Sequence, residues 1–567
     1  MYVLGLWDGH DSGAALVEDD KIIFAANEER YTKRKLEVKF PYNSINEALK
    51  FAELKPTDIE VVSFPTTELT KTMSRVFPWQ KERYYMFRRR KIPKPRFENL
   101  MHYTKYAMTS IGPFPPCGFV SKAAVGTELR RMGFSNFKLY AVDHHTAHAA
   151  TAAFTSGMKR SLVVTLDGLG DGLSGSVSTF KKGELSREVS ISARNSLGIF
   201  FEQVTNLVGM RELEDEGKVM AMADYSFPFP FEQNRMKDFF TVEGTEITAR
   251  YGPIAQYRAL QSLAWQMPRE QFAYMAQQLL ERTMSDFFGN VIGEYGIGSV
   301  AMAGGIMSNV KANMAVRELP QLKEWYIFPH MGDGGIALGA AMCTNYELNG
   351  VSSYKFDDSY LGNSYDNDYV KGVLRKEKGI KFYEDRDPGG HAAELLEKGE
   401  YVFWFQGRME YGPRALGDRS IVARADSEDV KNRLNIHVKQ REWYQPFAPA
   451  MLEEEADRLL YVKKGYSPFM TMAYRVREKH ADHMKSVMHI DMTARPQTVG
   501  STNKPYRRLI EGVRKSNGYG VVLNTSFNIH GQPIVTSPED ALMTMKKTRT
   551  REMFIGEYLV VNNKGIR

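Results

Sequence analysis

The sequence predicts an α/β protein, and three observations predict it. Short apolar runs of strand character end again and again in loops of glycine and aspartate. Stretches with apolar residues recurring at three and four lie between them. The composition, 43% hydrophobic and 25% charged over 567 residues, suits large buried cores and excludes disorder as the main state. At roughly 100–200 residues per domain, the length predicts about three to five domains or two large ones.

Taken in order, the chain opens with two strand-like runs, YVLGLW and KIIFAA. The small-residue loop GHDSGAAL lies between them, and VEDDK reads as a turn. A second unit, SLVVTLDGLGDGLSGSVSTF at 161–180, runs a buried-type strand into glycines and two aspartates. SVAMAGGIMSNVKANM at 299–314 and YIFPHMGDGGIALGAAM at 326–342 repeat the form. Glycines let the backbone approach a ligand closely, and exposed N–H groups there can hold an anion. Four such loops in order predict convergence on a ligand. Residues 269–290 predict a scaffold helix. Residues 343–372, rich in Asn, Asp, Ser, Gly and Tyr, read as a connection between domains. The remainder, from 391, carries its own strands (YVFWF, GVVLNTSF, YLVVNN) and predicts a second core.

The 2 cysteines, Cys117 and Cys343, have no CxxC spacing. That excludes a disulfide framework or a cysteine zinc ribbon and points to a reducing, cytoplasmic compartment. Asp8 and Asp11 come too early for a signal peptide, and no apolar run of about 18 residues predicts a membrane span.

His144 and His148 in DHHTAHAA stand four apart, so on a helix both imidazoles share one face. Alone, that spacing also describes two histidines hydrogen-bonded to their neighbours. Asp167 at the end of a strand and Asp333 in MGDGG add carboxylates aimed at the same place. Two imidazoles and two carboxylates suit Fe(II), manganese or zinc. His10, in the first glycine loop beside Asp11, is a candidate general base.

The C-terminal part concentrates cations inside apolar or glycine-rich motifs. QGRMEYGPRALGDRSI carries Arg408, Arg414 and Arg419, IHVKQREWYQPFAPA carries Lys439 and Arg441, and HIDMTARPQTV carries Arg495. LNTSFNIHGQPIV adds Asn524, Ser526 and Asn528. Guanidinium forks bind phosphate bidentately, lysine adds a point charge, and the set predicts a nucleotide or acyl-phosphate site. It is not a P-loop, because GxxxxGK[ST] is absent.

Together, GHDSGAAL, NEERYTKRK, DHHTAHAA, LDGLGDG, EGKVMAMA, GGIMSNVKAN, GDGGIALGAA, GRMEYGPRALGDRS, VKQREWYQPFAP and NTSFNIHGQPIV resemble a known family. It is that of the O-carbamoyltransferases of the nodulation-protein-U and tobramycin-carbamoyltransferase type. The resemblance implies an actin/Hsp70-type (ASKHA), two-lobed domain over 1–350, a connecting segment over 351–390, and a YrdC-like α/β domain over 391–567. It implies an enzyme that makes carbamoyl-adenylate from ATP and carbamoyl phosphate, then carbamoylates a hydroxyl. His144, His148, Asp167 and Asp333 then fall on ligands of Fe(II) or another divalent metal, and His10 on the transfer-site histidine. Arg414, Arg419, Lys439, Arg441, Arg495, Ser526 and Asn528 fall on the ATP and carbamoyl phosphate site, served by Mg2+. Lys439 and Arg441 are taken as catalytic there, with His10 at the transfer site. Glu216 and Lys218, with Gly304 and Gly305, fall at the acyl-adenylate pocket. A homodimer is compatible with the resemblance. Asp418, Leu36, Met492 and Pro496 depart from the family pattern and bear on fine substrate contacts.

The acceptor is open. Segment 81–96, KERYYMFRRRKIPKPR, holds eight basic residues and one acid, an excess equal to the net +7 of the whole chain. Arg88, Arg89, Arg90, Lys91, Lys94 and Arg96 alternate with aromatics, a pattern that fits nucleic acid, such as DNA bearing a hydroxymethyl pyrimidine. The same run also fits a solvated or subunit-contacting insertion, or a small anionic, sugar or natural-product acceptor. A nucleic-acid-binding protein with an inactive core and a sugar kinase are the alternatives from other classes.

Overall fold

The computed structural model describes residues 1–93, 98–441 and 444–565. They form two compact units. Met1–Glu28 and Leu36–Phe356 make the first, and Glu29–Lys35 with the chain from Asp357 onward make the second.

In the first unit, β1 (Tyr2–Trp7), β2 (Gly13–Glu18), β3 (Lys21–Asn27), β4 (Val61–Pro65) and β5 (Lys138–Val142) form one sheet. Its order is β3-β2-β1-β4-β5. The first three are an antiparallel meander, and β4 and β5 run parallel to β1. A second sheet contains β6 (Arg160–Gly170), β7 (Leu173–Lys181) and β8 (Glu184–Ser192). A separate hairpin, β9 (Phe240–Glu243) and β10 (Glu246–Ala249), precedes its last strands, β11 (Ser299–Ala303) and β12 (Glu324–Ile327). Its order, β8-β7-β6-β11-β12, is again a meander followed by two parallel strands. The unit therefore repeats one strand plan twice, although no repeat is visible in the sequence.

The opening loop is shorter than expected. Residues Gly13–Glu18 of the small-residue run form β2, and only the stretch between β1 and β2 is loop. Small side chains suit a strand buried on both faces, and Ala14, Ala15 and Leu16 are buried. At Gly5 in β1, a Cβ would come within 2.9 Å of Ala341 Cβ on helix Ile336–Asn349, so glycine sets that close packing. The scaffold helix runs Arg269–Tyr295, with Phe272, Leu279, Leu280, Phe287 and Val291 on its buried side. It ends at Gly296, whose φ of 61° suits a glycine C-cap.

The second unit is built on one mixed sheet. β13 (Ile380–Glu384), β14 (Val402–Phe405), β15 (Arg419–Arg424), β16 (Ala448–Leu452), a short β17 (Tyr474–Arg475) paired with β18 (Thr493–Ala494), β19 (Gln497–Val499), β20 (Val521–Ser526), β21 (Glu552–Ile555) and β22 (Tyr558–Asn562) follow in sequence. All but β17 and β18 join the sheet, ordered β13-β22-β21-β14-β15-β20-β16-β19. Within 351–390, helix Asn367–Lys376 and β13 are regular structure, and β13 pairs with β22. Helices Pro388–Glu397 and Lys504–Asn517 cover one face, where Leu396, Trp404, Leu509, Ile510 and Phe554 share a core. A Cβ on Gly512 would lie 2.6 Å from Ala393 Cβ, so that glycine lets the two helices meet. Among the described residues, no helix is long and apolar enough to cross a membrane.

Trp404 is fully buried at the centre of the second core. Replacing it by alanine is expected to lower the stability of that unit by about 3–5 kcal/mol. Chemical denaturation followed by circular dichroism measures this, and a loss below about 1 kcal/mol contradicts the packing described.

Candidate functional site

The first unit gathers four sequence-predicted residues. Asp143 caps helix His144–Thr155, its carboxylate accepting the Thr146 N–H at 2.8 Å. That start places His144 and His148 on one buried face. His144 Nε2 lies 3.3 Å from Asp167 Oδ2 and 3.6 Å from Asp333 Oδ1. His148 Nε2 lies 3.6 Å from Asp333 Oδ1 and 3.9 Å from Asp167 Oδ2. One donor atom from each residue falls within 4.8 Å of all the others. His148 Nε2 faces the cluster, buried and with no hydrogen-bond partner of good geometry.

The supporting contacts are specific. Asp167 sits at an irregularity in β6, between Leu166 and Gly170, where pairing with β7 is interrupted. Its Oδ1 accepts the Gly305 N–H at 2.7 Å. Gly304 has φ 100°, and a Cβ there would run into the backbone of Leu166. Gly304 and Gly305, expected at the acyl-adenylate pocket, thus act here by seating Asp167. His145 is buried and bonds Thr165 Oγ1 at 3.0 Å, outside the cluster.

His10 joins the same group, with Nδ1 3.2 Å from Asp333 Oδ2. The Trp7 indole N–H donates to the His10 carbonyl at 2.8 Å, and the Tyr85 ring stacks on the imidazole. Asp11, next in the loop, has φ 58°, and Asn27 Nδ2 donates to its carbonyl at 3.1 Å.

The electrostatics follow from burial of acids among imidazoles. Burial opposes the charged form of His144, but Asp333 and Asp167 outweigh it and lift its pKa to about 10. Burial alone would raise Asp333, yet His10 and His144 hold its carboxyl well below the usual carboxylate range. Behind them, burial and the neighbouring Asp171 push Glu68 up to about 8. Glu216 and Lys218 engage their own turn: Glu216 accepts the Leu213 N–H at 2.6 Å, and Lys218 pairs with Asp215 at 3.0 Å.

Part of the basic segment turns inward, at Lys81, Arg88 and Arg89. Arg88 is buried, with Nε 2.6 Å from Glu212 and the other side of its guanidinium on Glu202. Arg89 is buried beside Tyr85. Arg90 donates to the Gly209 and Asn206 carbonyls, and Lys91 lies 3.3 Å from Glu214. Burial withdraws Arg88 and Arg89 from the phosphate-facing stripe that the sequence suggested, while Arg90 and Lys91 stay exposed and engage carbonyls and Glu214 of the same unit. Lys94 and Arg96 lie outside the described residues.

The second unit brings together Arg414, Lys439, Arg441 and Arg495. Residues Leu434–Lys439 form a π-helical turn, and Gln440 follows with φ 46°. Such turns mark functional sites more often than ordinary helix does. Lys439 Nζ donates to Asn528 Oδ1 at 2.7 Å and also to the Ser526 carbonyl. Ser526 and Asn528 therefore cradle the lysine. Arg441 donates to Asn435 Oδ1 at 2.8 Å and lies over the Phe447 ring. Arg495 Nε is buried without a hydrogen-bond partner. Burial, followed by Arg441 and Lys35, holds the Lys439 ammonium well below the usual lysine range. Burial, followed by Arg414 and Arg441, does the same to Arg495. Burial lowers Arg414 and Arg441 to about 10. Among the described residues, no carboxylate is found with the charges acting on these four, and the cluster is a concentration of cations.

Arg419 corrects the expectation. It is fully buried, its guanidinium donates to the Gln406, Gly407, Asp418 and Asn363 carbonyls, and it stacks on Phe405 at 3.6 Å. It holds the loop and contributes nothing to the cage. Lys35 was missed: the short Glu29–Lys35 piece belongs to this unit and carries that charge towards Lys439. Arg30 anchors the piece through the Gly412 carbonyl at 2.6 Å, and Tyr31 through Asn363 Oδ1 at 2.6 Å.

Residues 2–342 match the family described as the carbamoyltransferase N-terminus, and residues 393–562 the carbamoyltransferase C-terminus. An uncharacterized protein of Methanocaldococcus jannaschii is 35% identical over 77% of this chain and 76% of its own length. Nodulation protein NolNO of Sinorhizobium fredii is 30% identical over 97% of this chain and 79% of its own. The 3'-hydroxymethylcephem-O-carbamoyltransferase of Streptomyces clavuligerus is 31% identical over 45% of this chain and 47% of its own.

Four clustered cations, a buried Lys439 and three half-buried arginines, should be relieved by a polyanion. Saturating pyrophosphate is expected to raise the melting temperature of the second unit by roughly 5 °C or more. Arg495→Met should remove most of that rise in differential scanning calorimetry. An equal rise in the variant places the anion elsewhere.

Proposed function

The chain belongs to the carbamoyltransferase family, and on that premise we propose that it is an ATP-dependent O-carbamoyltransferase acting on a small-molecule hydroxyl. The observation that carries this is the pair of sites of different chemistry: a cluster of arginines and a lysine in one unit, and a carboxylate–imidazole cluster beside His10 in the other.

In this reading the second unit is YrdC-like and activates carbamoyl phosphate. Loss of inorganic phosphate to water leaves carbamate, whose oxygen attacks the α-phosphorus of ATP and expels pyrophosphate. The products are carbamoyl-adenylate, pyrophosphate and phosphate. Arg414, Arg441, Arg495 and Lys439 hold the phosphates and stabilise the charge that gathers on the leaving group. Lys439, buried against Ser526 and Asn528, is positioned and not free to wander. The repeated strand plan of the first unit supports an actin/Hsp70-type fold for the transfer domain.

His10 takes the proton of the acceptor hydroxyl as its oxygen attacks the carbamoyl carbon and AMP leaves. Asp333 Oδ2, 3.2 Å from His10 Nδ1, anchors that nitrogen and leaves Nε2 to take the proton. The donor set of His144, His148, Asp167 and Asp333 fits a divalent ion of the Fe(II), manganese or zinc kind, as the unpartnered His148 Nε2 also argues. Such an ion, when bound, polarises the carbamoyl carbonyl. The relative named for a hydroxymethyl substrate favours a primary alcohol. The match over residues 393–562 favours this reading over a sugar kinase, which has no use for a second polyanion site.

Incubation with ATP and carbamoyl phosphate is expected to release pyrophosphate only when both are present. Adding hydroxymethylcephem, aminoglycoside or hydroxymethylated-DNA acceptors, with Fe(II), should yield one product heavier by one carbamoyl group in mass spectrometry. His10→Asn should lower transfer by roughly 100-fold or more while pyrophosphate release continues. No pyrophosphate release would discard the activation step, and normal transfer by the variant would discard His10 as base.

Metal affinity carries a sign that can be checked. His144 must lose its proton to become a ligand, and its pKa stands near 10 before binding. Affinity should therefore climb by about tenfold per pH unit between roughly pH 6 and 9. Titration of Mn(II) by electron paramagnetic resonance reads this, and a flat profile refutes His144 as a ligand.

A further inference from the structure

Helix Pro78–Arg88, the front of the basic segment, is pinned at two points. Lys81 Nζ donates to the Asp8 carbonyl at 2.7 Å. The Asp8 carboxylate is itself clamped by Arg75, at 2.9 and 3.0 Å, and by Lys71 at 3.0 Å. Seven residues on, Arg88 is held by Glu202 and Glu212. Two helical turns separate these pins, so both lie on one face. The first pin ties the helix to the loop that bears His10. The second ties it to helix Leu197–Leu207, which bears Glu202 and follows the Asp167 strand in the chain.

Tyr85 lies between the pins, four residues after Lys81 and three before Arg88, on the same face. Its ring stacks on the His10 imidazole, with centroids 5.6 Å apart and planes at 22°. Lys105 Nζ lies 5.2 Å from the Tyr85 centroid and 4.4 Å from that of Tyr84. Asp333 holds His10 by one atom, Nδ1. A single contact leaves an imidazole free to swing about that point. A flat partner on the ring removes this freedom and fixes the direction in which Nε2 points.

We propose that Tyr85 is a positioning residue for His10, and that the pinned helix exists to hold that phenol ring in place. The proposal rests on reading His10 as the base of the transfer step. It also gives the conspicuous cations a purpose: Lys81 and Arg88 set the height and register of the helix over the loop. A misplacement of about 1 Å in such a group costs on the order of 100-fold in rate, which is why two buried ion clusters are maintained to prevent it.

The test needs no acceptor. Diethyl pyrocarbonate acylates accessible imidazole nitrogen, and peptide mass spectrometry reads the rate at each histidine of the full chain. His391, 55% exposed in its side chain, serves as the internal reference. Tyr85→Leu is expected to raise the His10 rate at least threefold at constant His391 rate, and Tyr85→Phe, which keeps the ring, to leave it as in the parent. Should Tyr85→Leu fail to fold, Lys81→Met, which releases one pin and spares the ring, carries the same expectation. An unchanged His10 rate in the leucine variant, or a phenylalanine variant that behaves like leucine, overturns the proposal. Pyrophosphate release from ATP and carbamoyl phosphate is measured alongside. Its absence in the parent bears on the proposed reaction and leaves the labelling result standing.

Discussion

One carboxylate organises the first site. Asp333 reaches His10 with Oδ2 and both His144 and His148 with Oδ1. A buried carboxylate is costly unless its charge is matched, so these imidazoles and Asp333 must be placed together or not at all. The chain meets that demand with glycine. A Cβ at Gly334 would strike Asp11 and His330, and one at Gly335 would strike the His330 carbonyl. The turn between β12 and helix Ile336–Asn349 is tight because only hydrogen fits at those positions.

The repeated strand plan explains why these residues meet. Each half of the first unit runs a meander, then two parallel strands, then a helix. The loop after the first strand carries His10 in one half, and in the other Asp167 lies at the irregular end of the first strand itself, with Asp171 in the turn that follows. Beyond the last strand, the first turns of helix His144–Thr155 carry His144 and His148 in one half, and the step to helix Ile336–Asn349 carries Asp333 in the other. Equivalent places in the two copies thus supply one cluster. Asp171 adds a tie, accepting the His144 backbone N–H at 2.8 Å.

The α/β class and the meeting of His144, His148, Asp167 and Asp333 were legible in the sequence because these residues sit in short motifs whose chemistry is local. His144 and His148 share a face by spacing alone, and Asp167 and Asp333 follow apolar strands into glycine. Other features were not legible, for physical reasons. The duplication is one of strand pairing, which leaves no residue-level period. Arg419 looks like Arg414 in sequence, yet carbonyls brought in from Gln406, Gly407 and Asn363 take up its guanidinium. Lys35 is separated from Lys439 by some four hundred residues, so only the fold assigns the Glu29–Lys35 piece to the second unit. The cations of segment 81–96 read as free because their partners, Glu202, Glu212 and Glu214, lie more than a hundred positions away.

The net charge of the chain conceals two local rules of opposite sign. At Asp333 two carboxylates and two imidazoles face one another, a donor set that suits a cation. At Lys439 the cations gather with no acid acting on them among the described residues, and the site suits an anion. One pocket could not serve both purposes. Two unit charges 4 Å apart interact by about 4 kcal/mol at an effective dielectric of about 20, so a carboxylate pair beside bound pyrophosphate would cancel most of what the arginines contribute. In the proposed reaction, activation with ATP is the step that handles the most negative charge, and Arg414, Arg441 and Arg495 suit it. After pyrophosphate leaves, the proposed carbamoyl-adenylate retains one phosphoryl charge, which a site built around carboxylates and an ion can accept. Two sites of different charge therefore suit the two halves of that proposed reaction.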